Sequence, residues 1–171
     1  MPGTLYLGLR ALHILVAALW LGAAGLLAAI VMPAIRDAGA AGGAFVTSLH
    51  RRKLHAFMAA SAVLTVLSGI WLYWMMTTGF DATIVWSRAG LIFGIGGLCG
   101  LLAMIIGGSI IGPGFVRLAV LAEQTGPLSE AERDDHAQRI AAIQQRTALA
   151  GKAALLLIVA ALVLMASGHY V

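Results

Sequence analysis

Four stretches of this chain are almost continuously apolar, at about residues 5–32, 54–76, 89–111 and 150–169. Each is long enough to cross a bilayer as a helix, which takes about 20 residues. The pattern therefore predicts an all-α fold, an integral membrane four-helix bundle forming a single domain over residues 1–171. The first stretch is too long for the apolar core of a signal peptide, roughly 7–15 residues, so it reads as a retained anchor. Between the third and fourth stretches, Ser129 precedes Glu130-Ala131-Glu132. Ser129 and Glu132 have the spacing of a capping box, which satisfies the free amides at a helix start. No proline or glycine follows until Gly151, so a helix is expected over about 130–149, leading into the fourth span. Residues 38–43, rich in glycine and alanine, read as a flexible connector, and no internal repeat is evident.

Composition and charge agree with a membrane location. Of 171 residues, 61% are hydrophobic and 11% charged, against about 25% charged in soluble domains. The basic residues cluster in the first loop (Arg36, Arg51, Arg52, Lys53) and the third (Arg117, Arg133, Arg139, Arg146, Lys152). Lys and Arg resist translocation. Loops 33–53 and 112–149 are therefore expected in the cytoplasm and both termini outside, in a bacterial-type inner (plasma) membrane. The same clustering accounts for the positive balance, and no basic groove interleaved with aromatics points to nucleic acid. A single cysteine, Cys99, excludes a disulfide framework and covalent haem attachment.

Small residues recur at helical spacing: Ala18, Gly22, Gly25 and Ala29 in the first span, and Gly90/Gly94, Gly96/Gly100 and Gly108/Gly112 in the third. They let helix backbones approach closely, within the chain or in a homo-oligomer. A flat cofactor lying on Gly97 and Gly100 would need the same missing side chains.

Ionisable groups inside a bilayer are costly, so each is a functional candidate. His13 lies about eight residues into the first span, with Arg10 one turn before it and Ala17, Trp20 and Ala24 continuing its stripe. At that depth the imidazole requires a partner. Met165 and His169 are an i,i+4 pair near the end of the fourth span. Met75 and Met76 end the second, and Arg88 opens the third. All belong to the outer end of an antiparallel bundle. His55 begins the second span at the opposite end, with His50 among basic neighbours, too far along the helix for His13 and His55 to share one haem.

Two chemistries suit this donor set. Imidazole and thioether are haem axial ligands, and arginines neutralise propionates. The same soft donors suit Cu(I). Arg10 and Arg88 favour the anionic cofactor, so haem b bound by His13 and His169 is the leading expectation, with electron transfer to a redox partner or quinone. Copper held by His13, His169, Met75, Met76, Met165 and His55 is the alternative. An accessory subunit without cofactor is the third reading. No phosphate-binding loop, zinc-protease pair or nucleophile elbow is present.

The stretch Leu12 to Gly22, the later Pro33-Ala34-Ile35-Arg36, Arg51-Arg52-Lys53 and Thr65 to Leu72 resemble the first two helices of CopD-type copper-resistance membrane proteins. The likeness covers about the first 75 residues and implies copper handling. A weaker likeness is to the membrane protoporphyrinogen oxidases, which hold haem b through a first-helix histidine. By that likeness His13 is the haem ligand. The lysine of that family near its third helix has no match at the same spacing, Arg88 being the nearest basic residue.

Overall fold

The protein is described from a computed structural model, which covers residues 3–123 and 129–168. His169 lies outside the described residues. Those described form helices and turns with no strand. Four helical segments, Gly3–Asp37, Leu54–Met76, Arg88–Glu123 and Glu132–Ser167, are long and apolar enough to cross a membrane.

In hydrocarbon every backbone amide must be satisfied within the chain, which leaves helices as the spanning form here. Prolines threaten that rule, and the structure meets both threats in the same way. Helix α1 (Gly3–Leu26) widens into a π-helical turn, π1 (Leu27–Val31), before α2 (Met32–Asp37), which carries Pro33 in its first turn. Later, α6 (Arg88–Ile106) widens into π2 (Gly107–Ile111) before α7 (Gly112–Glu123), which contains Pro113. The amides of Met32 and Gly112 each reach five residues back, to the carbonyls of Leu27 and Gly107. The wider turn absorbs the irregularity that the missing proline N–H imposes. The first and third helical segments thus continue to Asp37 and Glu123, beyond the ends at 32 and 111 that hydropathy suggested.

Two further elements depart from the sequence expectation. Residues expected as a flexible connector largely form the start of α3 (Ala40–Arg51). A side chain at Gly42 would strike the Ile35 carbonyl, and a Cβ on Gly43 would sit 3.3 Å from that of Ala122. These glycines serve close packing. The short α5 (Ala82–Val85) separates α4 (Leu54–Met76) from α6, with Asp81 and Ser87 accepting the first amides of α5 and α6.

Helix α8 (Glu130–Ser167) is unbroken for 38 residues, and Ser129 with Glu132 forms the expected capping box. At 1.5 Å per residue it is about 57 Å long, nearly twice the thickness of a hydrocarbon core, so much of it lies beyond any bilayer. The closest helix pairs are α6 with α8 and α1 with α4, joined by α4 against α6 and α1 against α8.

Two cores hold these helices. Trp20, Ala62, Ala103, Ala154 and Ile158 pack between the apolar runs. Small residues dominate because lipid tails are as apolar as leucine and close approach must supply the attraction. Ile35, Val46, Phe115, Leu118 and Ala119 form a second core at the basic end, where α3 rests on α7.

The first and third spanning segments share a local feature at one fixed offset along the chain. Residues 27–31 and 107–111 are the two π turns, and Pro33 and Pro113 follow at the same offset. At that offset His13 of α1 corresponds to Phe93 of α6. The His13 ring lies on Gly69 of α4 and the Phe93 ring lies on Gly168, just beyond α8. Each of those glycines follows a serine, Ser68 and Ser167. Differing loop lengths and generic apolar identities hide the correspondence along the chain.

The glycines of α6 divide sharply, and that division is testable. A Cβ on Gly90 would strike the Ile84 carbonyl and lie 2.6 Å from that of Val85, whereas one on Gly97 would meet nothing within 4 Å. Gly90→Ala should destabilise the protein by roughly 1–3 kcal/mol, as overpacking does. Gly97→Ala should be neutral or gain up to about 1 kcal/mol from helix propensity. Thermal unfolding of the two variants in detergent, followed by circular dichroism, checks the contrast.

Candidate cofactor site at His13

Helix α4 presents buried hydroxyls at Ser61, Thr65 and Ser68, spaced to fall on one face. Each donates to the backbone carbonyl four residues earlier: Ser61 to Phe57 at 2.9 Å, Thr65 to Ser61 at 2.7 Å and Ser68 to Leu64 at 2.6 Å. A polar stripe is thereby made compatible with an apolar span, since each proton has an acceptor within its own helix.

His13, half-buried on α1, meets this stripe. Its Nδ1 lies 2.9 Å from Ser68 Oγ. The single Ser68 proton is directed at the Leu64 carbonyl, with the Thr65 carbonyl next nearest at 3.1 Å. The hydroxyl oxygen is left to accept, so Nδ1–H donates to it. In a neutral ring the lone pair then resides on Nε2. The Thr65 carbonyl is a further hydrogen-bond acceptor beside the ring. Gly69 makes the arrangement sterically possible, because a Cβ there would stand 3.0 Å from His13 Cε1. The partner that the depth of His13 demands is therefore the Ser68 hydroxyl.

The other predicted residues distribute over several places. Arg10 is half-buried one turn before His13. Met75 and Met76, half-buried, end α4. Met165 lies against α6, with its Cγ 3.3 Å from where a Cβ on Gly96 would stand. Arg88 is exposed in the first turn of α6. Gly97 is exposed and Gly100 half-buried, and a Cβ on either would meet nothing within 4 Å, so neither serves close packing within the chain. Gly22 is likewise open, while Gly94 and Gly96 do pack, against Tyr73 and Met165. His55, at the other end of α4 from Ser68 and Gly69, stacks on His50 with ring centroids 5.2 Å apart. It is 14 residues from Gly69, about 20 Å along the helix. Among the described residues, no three His, Cys, Asp or Glu side chains converge as a metal cluster.

Sequence reasoning passed over Ser68 as a site residue. The available signal was the Ser61, Thr65, Ser68 stripe, since hydroxyls on one face of a span mark the face turned toward another helix. Tyr73 was passed over too. Its hydroxyl donates to the Gly90 carbonyl at 3.1 Å, tying α4 to the start of α6.

The helices and their composition define an integral membrane protein with four apolar spanning segments. No family model, curated protein or solved structure matches the chain.

The tautomer assignment is directly measurable. In protein labelled with ¹⁵N-histidine, His13 should appear as the Nδ1–H form at neutral pH. Ser68→Ala should release that preference toward the Nε2–H form common in unconstrained imidazoles. The loss of this interhelical bond should cost about 0.6 kcal/mol and no more than about 1.7 kcal/mol. An Nε2–H signal in the wild-type protein would refute the assignment.

Proposed function

We propose that this chain is a membrane haem b-binding protein of electron-transfer type, with His13 Nε2 as an axial ligand. The observation that carries the reading is the commitment of Nδ1–H to Ser68. Metal-ligating histidines characteristically donate their second ring nitrogen in this way, which orients the ring and raises its basicity. A ligand nitrogen on a half-buried ring and an arginine one turn away suit a dianionic cofactor. When bound, haem supplies one-electron chemistry. His13 would hold it, Ser68 would fix the ring, and Arg10 and Arg88 would neutralise propionates.

On this reading the cofactor occupies the outer half of the bundle, with both termini outside and the basic ends of the spans in the cytoplasm. His169 stands as second axial ligand, a quinone or small redox protein exchanges electrons, and the exposed glycines of α1 and α6 face lipid or another copy. Copper handling is the weaker alternative. It asks His13, Met75, Met76, Met165 and His169 to serve one ion, yet His13 packs on α4 and Met165 packs on α6, while His55, about 20 Å away, would belong to a second site. A third reading draws on the His13–Ser68 bond itself, which would clamp α1 to α4 in a protein without cofactor.

A reduced-minus-oxidised visible spectrum of the purified protein, with metal analysis on the same sample, separates the three. The haem reading expects a Soret band and a b-type α-band, both lost in His13→Ala. It also expects haem affinity about 10–100-fold weaker in Ser68→Ala, the usual effect of removing an outer-shell partner. A colourless protein containing copper would favour the second reading. Colourless, metal-free protein after haem supplementation would leave the clamp.

A further inference from the structure

At the basic end of the bundle, a groove of about 270 Å³ opens between the π2–α7 segment and α8. Ser109, Pro113, Arg117, Ile143, Arg146 and Thr147 line it, and no acidic residue does. The helices approach so closely here that a Cβ on Gly114 would stand 2.5 Å from Thr147 Oγ1. Ser109 and Thr147 spend their hydroxyl protons on the carbonyls of Ile105 and Ile143. The guanidinium groups of Arg117 and Arg146 are thus the donors the groove offers.

Arg51 pairs with Glu123 at 3.6 Å and Arg139 with Asp135 at 2.7 Å, but among the described residues neither Arg117 nor Arg146 forms an ion pair. A second cavity, of about 340 Å³, is lined by Arg36 and Lys152. There Arg36 already donates to the Gln144 carbonyl at 2.8 Å. Two guanidinium groups lining one groove offer a site for an anion, and a phosphate is the anion whose oxygens suit the guanidinium fork.

The position selects the kind of phosphate. Arg117 is six residues past the apolar run ending at Ile111, and Arg146 is four before the run starting at Ala150. These spacings place them about 9 Å and 6 Å beyond the apolar core, close to the headgroup layer, which adds roughly 5–7 Å per side. Toward the core, Ile105, one turn before Ser109, is 51% exposed, an apolar surface suited to acyl chains. We propose that the groove closed by Arg117 and Arg146 holds the phosphate of an anionic glycerophospholipid. A zwitterionic headgroup is disfavoured because it would bring its own cation to the arginine pair. This site is independent of any cofactor at His13.

The test uses the full-length chain in detergent with equimolar phosphatidylglycerol and phosphatidylcholine, counting retained lipids by native mass spectrometry. Wild-type protein should retain phosphatidylglycerol preferentially. Arg117→Gln and Arg146→Gln should each weaken that preference about fivefold, and the pair roughly twentyfold. Arg133→Gln with Arg139→Gln, elsewhere on the basic surface, should leave it intact. Equal loss in that control pair, or unchanged preference in the groove pair, would overturn the proposal. So would displacement of the lipid by millimolar inorganic phosphate, which would identify a free-anion site instead. Should the glutamine variants fail to fold, hydrogen exchange of the wild-type chain decides. Phosphatidylglycerol vesicles should slow exchange across residues 107–117 relative to phosphatidylcholine vesicles, and equal exchange in both would reject the site.

Discussion

An unpaired amide or carbonyl costs several kcal/mol in hydrocarbon, and the architecture follows from avoiding that cost. It turns every apolar run into helix and carries the first and third runs through their prolines as π turns. It also leads the hydroxyls of α4 to donate back to their own helix before they meet anything else. The last consequence reaches the candidate site. Because the Ser68 proton serves Leu64, its oxygen can orient His13, and the imidazole presents Nε2 as its basic nitrogen. Backbone satisfaction and the chemical disposition of the buried histidine are linked through one hydroxyl group.

The feature shared by the first and third spanning segments shows how one scaffold supports two different niches. Both halves carry a π turn before a proline, and both place an aromatic ring against a glycine that follows a serine. Histidine occupies the position in the first half and phenylalanine in the second. An ionisable ring in a span is expensive, and phenylalanine at the equivalent place avoids that cost.

The two ends of the molecule use different physics. Between the apolar runs, alanines and one tryptophan make a thin core, because without water there is little hydrophobic drive and close approach must suffice. At the basic end, isoleucine, valine, leucine and phenylalanine form a conventional core that gains about 1.5–3 kcal/mol for each large side chain buried. That second core braces α3 against α7 at the basic end of the spans. It also sets the packing of α7 against α8, and so brings Arg117 and Arg146 to a common groove.

Much of this was legible along the chain. Length and hydropathy determined the four spanning helices because the bilayer reads the sum of a run and not its neighbours. The Ser129–Glu132 cap was equally legible, since capping is local. His13 was singled out by burying an ionisable group in an apolar run. Tertiary structure alone decided its partner, because Ser68 is 55 residues away and one of several hydroxyls in α4. Helix pairing likewise decided which glycines are packed, Gly94 and Gly96, and which are open, Gly97 and Gly100, though all four share one helix. The correspondence between the first and third segments stayed hidden for a related reason. Apolar side chains in a membrane are nearly interchangeable, so what the two halves share is the placement of contacts, which exists only once the helices pack.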